Sequence, residues 1–97
     1  MFVHLSVHHP RPGRAQDLIA SMLRFGAAAK GLPGFREAHT LEDSRSGTLV
    51  GLAMWEDEAS WREGVEAMRD AVKDDPFEEW EEREPEVFTL VDVWRSS

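Results

Sequence analysis

Thr48-Leu49-Val50-Gly51-Leu52-Ala53-Met54-Trp55 is the stretch whose reading decides the fold. In an extended strand successive side chains point to opposite faces, which puts Val50, Leu52 and Met54 on one side and Leu49, Ala53 and Trp55 on the other. Both sides are apolar, the mark of a strand buried on both faces. Two helices can cover one face of a small sheet, and a chain of 97 residues has little left for the other. The stretch therefore predicts a homodimer formed face to face through the sheet.

Upstream, Phe35 to Glu42 reads as a strand with Phe35, Glu37, His39 and Leu41 on one face and Arg36, Ala38 and Thr40 on the other. Asp43-Ser44-Arg45-Ser46-Gly47 turns it into the Thr48–Trp55 strand, a hairpin. Downstream, Asp57 is an N-cap, and Trp61, Val65, Met68 and Val72 recur at the spacing of one buried helix face. At the start of the chain, Phe2 to His9 alternates, with Val3, Leu5 and Val7 opposed to Phe2, His4, Ser6 and His8. Which of these sets meets the helices is left open. Pro10 and Pro12 end that strand. From Gly13, with Pro12 suited to the first turn, Ala15, Leu18, Ile19, Met22, Phe25 (or Gly26) and Ala29 form a helical stripe that Gly31 and Pro33 close. Asp75 and Pro76 open a short third helix carrying Phe77 and Trp80, which Pro85 terminates. Its acidic end is poorly matched to the helix dipole and depends on packing. Glu86 to Trp94 is the last strand, with Val87, Val91 and Val93 on one face and Phe88, Leu90 and Trp94 on the other.

The order of main elements is βαββαβ, an α+β, ferredoxin-like arrangement: an antiparallel four-stranded sheet with helices on one face. No repeat or linker interrupts it, so residues 1–97 read as one domain.

Composition narrows the function classes. With 41% apolar and 31% charged residues the chain reads as a folded globule. No apolar run approaches the roughly 20 residues that span a bilayer, and the N-terminus lacks the basic region of a signal peptide, which points to the cytoplasm. The absence of cysteine removes disulfides and thiolate chemistry. The net charge is −8, and eight acidic residues fall between Asp74 and Glu86, leaving 11 acidic against 10 basic elsewhere. Such a surface repels nucleic acid and anionic lipid, and the acidic run reads as a solvated face, with a cation site as the alternative.

The short first strand, the Leu32-Pro33-Gly34-Phe35 connection, the hairpin and the strand ending in Trp55-Glu56-Asp57-Glu58-Ala59 together resemble the antibiotic biosynthesis monooxygenase (ABM) family of dimeric α+β barrels. The resemblance covers nearly the whole chain. It implies two ferredoxin-like subunits packed sheet to sheet, each with a pocket between helices and sheet, and in some members oxygenation of phenols, quinols or haem without a conventional prosthetic group. The family's recurring functional residues do not carry over. The first-strand Asn position falls nearest Ser6, the second-helix Trp position near Gly64 or Ala71, and the His position of haem-degrading members near Glu81. The chain has no Asn and no Tyr, which disfavours haem degradation and any mechanism that needs Tyr.

Four histidines invite a metal site, but spacing argues against one. His4 and His8 stand roughly 13 Å apart along a strand, and His39 about 10 Å to the side, whereas zinc holds its nitrogens at about 2.0 to 2.1 Å. No metal and no cofactor is expected. The better reading makes His4, Ser6 and His8 candidate catalytic residues: an imidazole accepts a phenolic proton at neutral pH, and the electron-rich anion reacts with dioxygen. Trp61, His39, Phe25 and Met68 are candidate substrate contacts. The competing possibility is that the imidazoles are satisfied polar residues while Phe25, Trp61 and Met68 simply fill a core. Two functions follow: a cofactor-independent monooxygenase acting on a small phenolic or quinol-type aromatic, or a non-catalytic dimeric barrel that binds an apolar small molecule or serves as a structural module.

Overall fold

The computed structural model describes residues 1–94 and 96. It comprises β1 (Phe2–His8), α1 (Ala15–Ala27), β2 (Phe35–Glu42), β3 (Leu49–Trp55), α2 (Glu58–Ala71), α3 (Phe77–Trp80) and β4 (Glu86–Val91). The strands form one antiparallel sheet in the order β2-β3-β1-β4. This is the split βαββαβ arrangement that the sequence predicts.

β3 realises the two-faced reading. Leu49, Ala53 and Trp55 are buried beneath the helices. Val50, Leu52 and Met54 lie on the far face, in register with Val7, Leu5 and Val3 of β1. That far face continues through Phe88 and Leu90 of β4 and Leu41 of β2, all three of which are exposed. The helix-facing set of β1 is Phe2, His4, Ser6 and His8, which settles the alternative left open by its alternation. Phe2 joins Ala53, Trp55 and Met68 in one core cluster, and Ser6 sits against the bare backbone of Gly51.

Five boundaries or faces differ from the sequence reading, the first being the end of α1, which falls at Ala27 rather than Gly31 because the Ala29 and Lys30 amides turn back to the Gly26 and Ala27 carbonyls. α1 starts at Ala15 rather than Gly13, because Gly13 adopts φ +80 in a turn closed by the Arg14 amide on the Arg11 carbonyl. β2 carries a bulge between Phe35 and Glu37. The extra residue, Arg36, moves Phe35 to the helix face with Ala38 and Thr40 and leaves Glu37, His39 and Leu41 on the far side. α3 ends at Trp80, well before Pro85, since Glu81 turns extended and bridges Pro10; Asp75 does not cap it but binds Arg24. β4 ends at Val91, and Val93 and Trp94 lie beyond it, exposed.

α2 begins as predicted, the Asp57 carboxylate accepting from the Ser60 amide at 2.8 Å. Its packing depends on Gly64, where a Cβ would stand 2.4 Å from the Trp55 ring. The helix thereby lies directly on the indole. The core divides into two clusters. Phe2, Ala29, Ala53, Trp55 and Met68 form one, and Leu18, Met22, Leu49 and Trp80 the other.

Candidate active site

A cavity of about 690 Å³ opens between helices and sheet, within the range of small-molecule sites. Small residues on facing elements line it: Gly26 of α1, Ala38 of β2, and Gly51 and Ala53 of β3. Phe25, Met22 and Met68 supply apolar wall, and the polar atoms of its floor come from β1 through His4, Ser6 and His8.

Ser6 and His8 are two residues apart on one strand face, and the imidazole leans along the strand to meet the hydroxyl. The His8 Nε2 to Ser6 Oγ distance is 2.9 Å. The other ring nitrogen, Nδ1, is 2.9 Å from Glu81 Oε1, and the Glu81 side chain is only 4% exposed. An ionised Glu81 accepts the Nδ1–H proton, which fixes the tautomer in which Nε2 accepts the Ser6 O–H. The result is a chain of hydrogen bonds, Ser6 to His8 to Glu81, with its hydroxyl end in the cavity wall.

Backbone bonds hold the acid in place. The Glu82 amide donates to the His9 carbonyl at 2.8 Å, and the Arg11 amide to the Trp80 carbonyl at 2.8 Å. These tie the segment after α3 to the end of β1 and seat Glu81 beside His8. Sequence reasoning missed Glu81 because it lies in a run of acids read as solvated, and the pairing spans 73 positions. The one available signal was its position: a carboxylate at a helix C-terminus, directly after a Trp that must be buried, needs a partner.

His4 stands apart from this chain. Its ring lies 6.1 Å from that of Phe25 and 5.6 Å from that of Trp61. Burial first, and the positive charge of Arg69 second, lower its pKa from the usual 6.5, so the ring is neutral at pH 7. Trp61 packs behind His4 and against Phe2 at 5.1 Å and is not part of the cavity wall. His39 adjoins the cavity, but the register puts its side chain on the far face, beside Glu37 at 3.5 Å. The structure thus brings His4, Ser6, His8, Phe25 and Met68 around one space and sets Trp61 and the His39 ring outside it. Among the described residues no group of three His, Asp or Glu side chains is placed to hold a metal ion.

No protein-family model matches the sequence. No curated protein matches it either. Solved structures do. Rv0793 from Mycobacterium tuberculosis superposes with TM-score 0.82 at 17% identity, covering 99% of this chain and 98% of that one. An antibiotic biosynthesis monooxygenase matches with TM-score 0.75 at 14% identity, over 96% and 99%. SnoaB, described as a cofactor-independent oxygenase from Streptomyces nogalater, matches with TM-score 0.77 at 14% identity over 97% and 94%. The fold is that of the antibiotic biosynthesis monooxygenases. Neither second-helix position, Gly64 or Ala71, carries a Trp, and the space beside Gly64 holds the ring of Trp55 from the sheet. The position near Glu81 carries a buried acid, and the first-strand position carries Ser6.

Proposed function

We propose that the protein is a cofactor-independent monooxygenase that oxidises a small phenolic or quinol-type aromatic in the cavity between helices and sheet. The observation that carries this reading is the Ser6–His8–Glu81 chain opening on an apolar space. A bound phenol donates its O–H to Ser6 Oγ, while the Ser6 proton moves to His8 Nε2 and the Glu81 carboxylate stabilises the imidazolium. The phenolate left in an apolar pocket is electron-rich and gives an electron to dioxygen. Recombination forms a carbon–oxygen bond, and loss of water completes the quinone. One oxygen atom of dioxygen ends in the product and the other in water, and the two hydrogens of that water come from the substrate.

Ser-His-Glu is also the order of a nucleophilic acyl-transfer site, but that chemistry needs free donors for an oxyanion. β1 is paired on both sides, to β3 and β4, so the Ser6 backbone is occupied by sheet hydrogen bonds. That pairing favours proton transfer as the chemistry of these residues.

The same reading includes a second copy of the chain. The uncovered far face of Val3, Leu5, Leu52, Phe88 and Leu90 is contiguous and apolar, the kind of surface that marks an association site. No helix among the described residues is long and apolar enough to cross a membrane, and the proposal places the dimer in the cytoplasm. The absence of Asn and Tyr favours the rival, a non-catalytic dimer binding an apolar small molecule. Oxygen uptake with a panel of hydroquinones and anthrones separates the two. Catalysed uptake that falls in Ser6→Ala and His8→Gln supports the enzyme; no uptake, or uptake indifferent to both changes, leaves the binding module.

A further inference from the structure

The cavity wall has a charge that the rest of the chain does not. The protein carries 19 acidic residues against 11 Lys and Arg, yet among the described residues the cavity lining includes Lys30, Arg36 and Arg69 and no Asp or Glu. These cations come from three separate segments: Lys30 from the turn after α1, Arg36 from β2 and Arg69 from α2.

Arg36 is the inserted residue of the β2 bulge, a device that redirects a side chain and recurs beside active sites. The Lys30 amide donates to the Ala27 carbonyl, but its side chain makes no ion pair or hydrogen bond with any described residue. Arg36 meets Glu56 at 3.8 Å and Arg69 meets Glu66 at 3.0 Å, both as exposed pairs, of the kind that contributes little and exchanges readily. The positive charge also reaches inward, since Arg69 contributes to holding His4 neutral.

We infer that the cavity selects an aromatic substrate bearing a carboxylate, its ring among Phe25, Met22 and Met68 and its anionic group toward Lys30, Arg36 and Arg69. This rests on the proposed function for the reacting end of the molecule and adds the substrate class. A neutral aromatic gains only the apolar wall. An anion gains that wall and the field of three cations.

The test uses a redox-inert matched pair, anthraquinone-2-carboxylate and anthraquinone-2-carboxamide, titrated against the full chain by quenching of tryptophan fluorescence at low and high salt. The carboxylate is expected to bind about tenfold tighter at low salt, with the ratio shrinking as salt screens the cations. Lys30→Gln and Arg69→Gln each reduce the ratio. Lys73→Gln, which removes an equal charge from an exposed residue paired with Asp70, leaves it unchanged. Equal affinity for the two ligands, a ratio indifferent to the cavity cations, or no binding of either ligand overturns the inference. Oxygen uptake with neutral anthrone is measured in parallel, so failure of the carboxylate preference beside catalysed uptake refutes this inference alone.

Discussion

Glu81 has no route to a bound substrate except through His8, so it is a positioning residue. Glu81→Gln keeps the shape but removes the carboxylate that fixes the imidazole tautomer. It is expected to lower kcat by about a hundredfold with little change in KM, and 15N NMR of His8 would show the Nδ1 and Nε2 signals move toward a mixture of tautomers. An unaltered tautomer with full activity would reduce Glu81 to packing. Gly51 is constrained by the same site, since a Cβ there would lie 2.9 Å from Ser6 Oγ and 3.2 Å from Met22 Cε. Gly51→Ala is therefore expected to displace the hydroxyl and lower activity even where the flexible Met22 end gives way. His4 links the site to pH. Its folded pKa lies below 6.5, so the unfolded chain takes up the proton first as pH falls, and its contribution to stability is full above that value and lost on acidification. Urea midpoints should fall more steeply between about pH 7.5 and 5 for the wild type than for His4→Phe; equal slopes would contradict this. That His4, Ser6 and His8 share one face of a strand whose other side is Val3, Leu5 and Val7 was legible from the alternation, and the structure puts that face on the cavity. Glu81 was not legible, because only tertiary folding brings it to His8.

At the scale of elements, period and punctuation carried most of the information. β3, the Asp57 cap and the hairpin lie where alternation, helical spacing and turn residues put them, whereas α1 ends at Ala27 and passes through a turn before Gly31, which takes φ +86. The failures occur where a long-range contact overrides a local preference. The β2 bulge reverses the side occupied by Phe35, and the Glu81 contacts stop α3 early, neither of which any local pattern announces. Gly64 shows the same conflict energetically. Alanine is the better helix former by about 1 kcal/mol, but its Cβ would press into the rigid Trp55 ring. Gly64→Ala is thus expected to destabilise by about 1 to 3 kcal/mol overall, measured as a lower denaturant midpoint. A gain in stability would show that α2 can lift from the indole without loss.

For the whole molecule, the two-sided apolar character of β3 places its Leu49, Ala53 and Trp55 face in the core and leaves the Val50, Leu52 and Met54 face in the uncovered sheet. In the proposed dimer a second copy supplies the missing cover. Phe88→Glu, on that face beside Leu5, is expected to convert a dimer to a monomer in sedimentation equilibrium at micromolar concentration, while Val93→Glu, exposed beyond β4, is not. A wild-type monomer would remove the dimer and leave the cavity chemistry to stand alone. That chemistry is tested most directly by turning over an anthrone under 18O2 and reading the anthraquinone product by mass spectrometry. One 18O atom per quinone is expected at the catalysed rate, with His8→Gln reducing product to the uncatalysed level. Product lacking the label, or formed equally fast without His8, would contradict it.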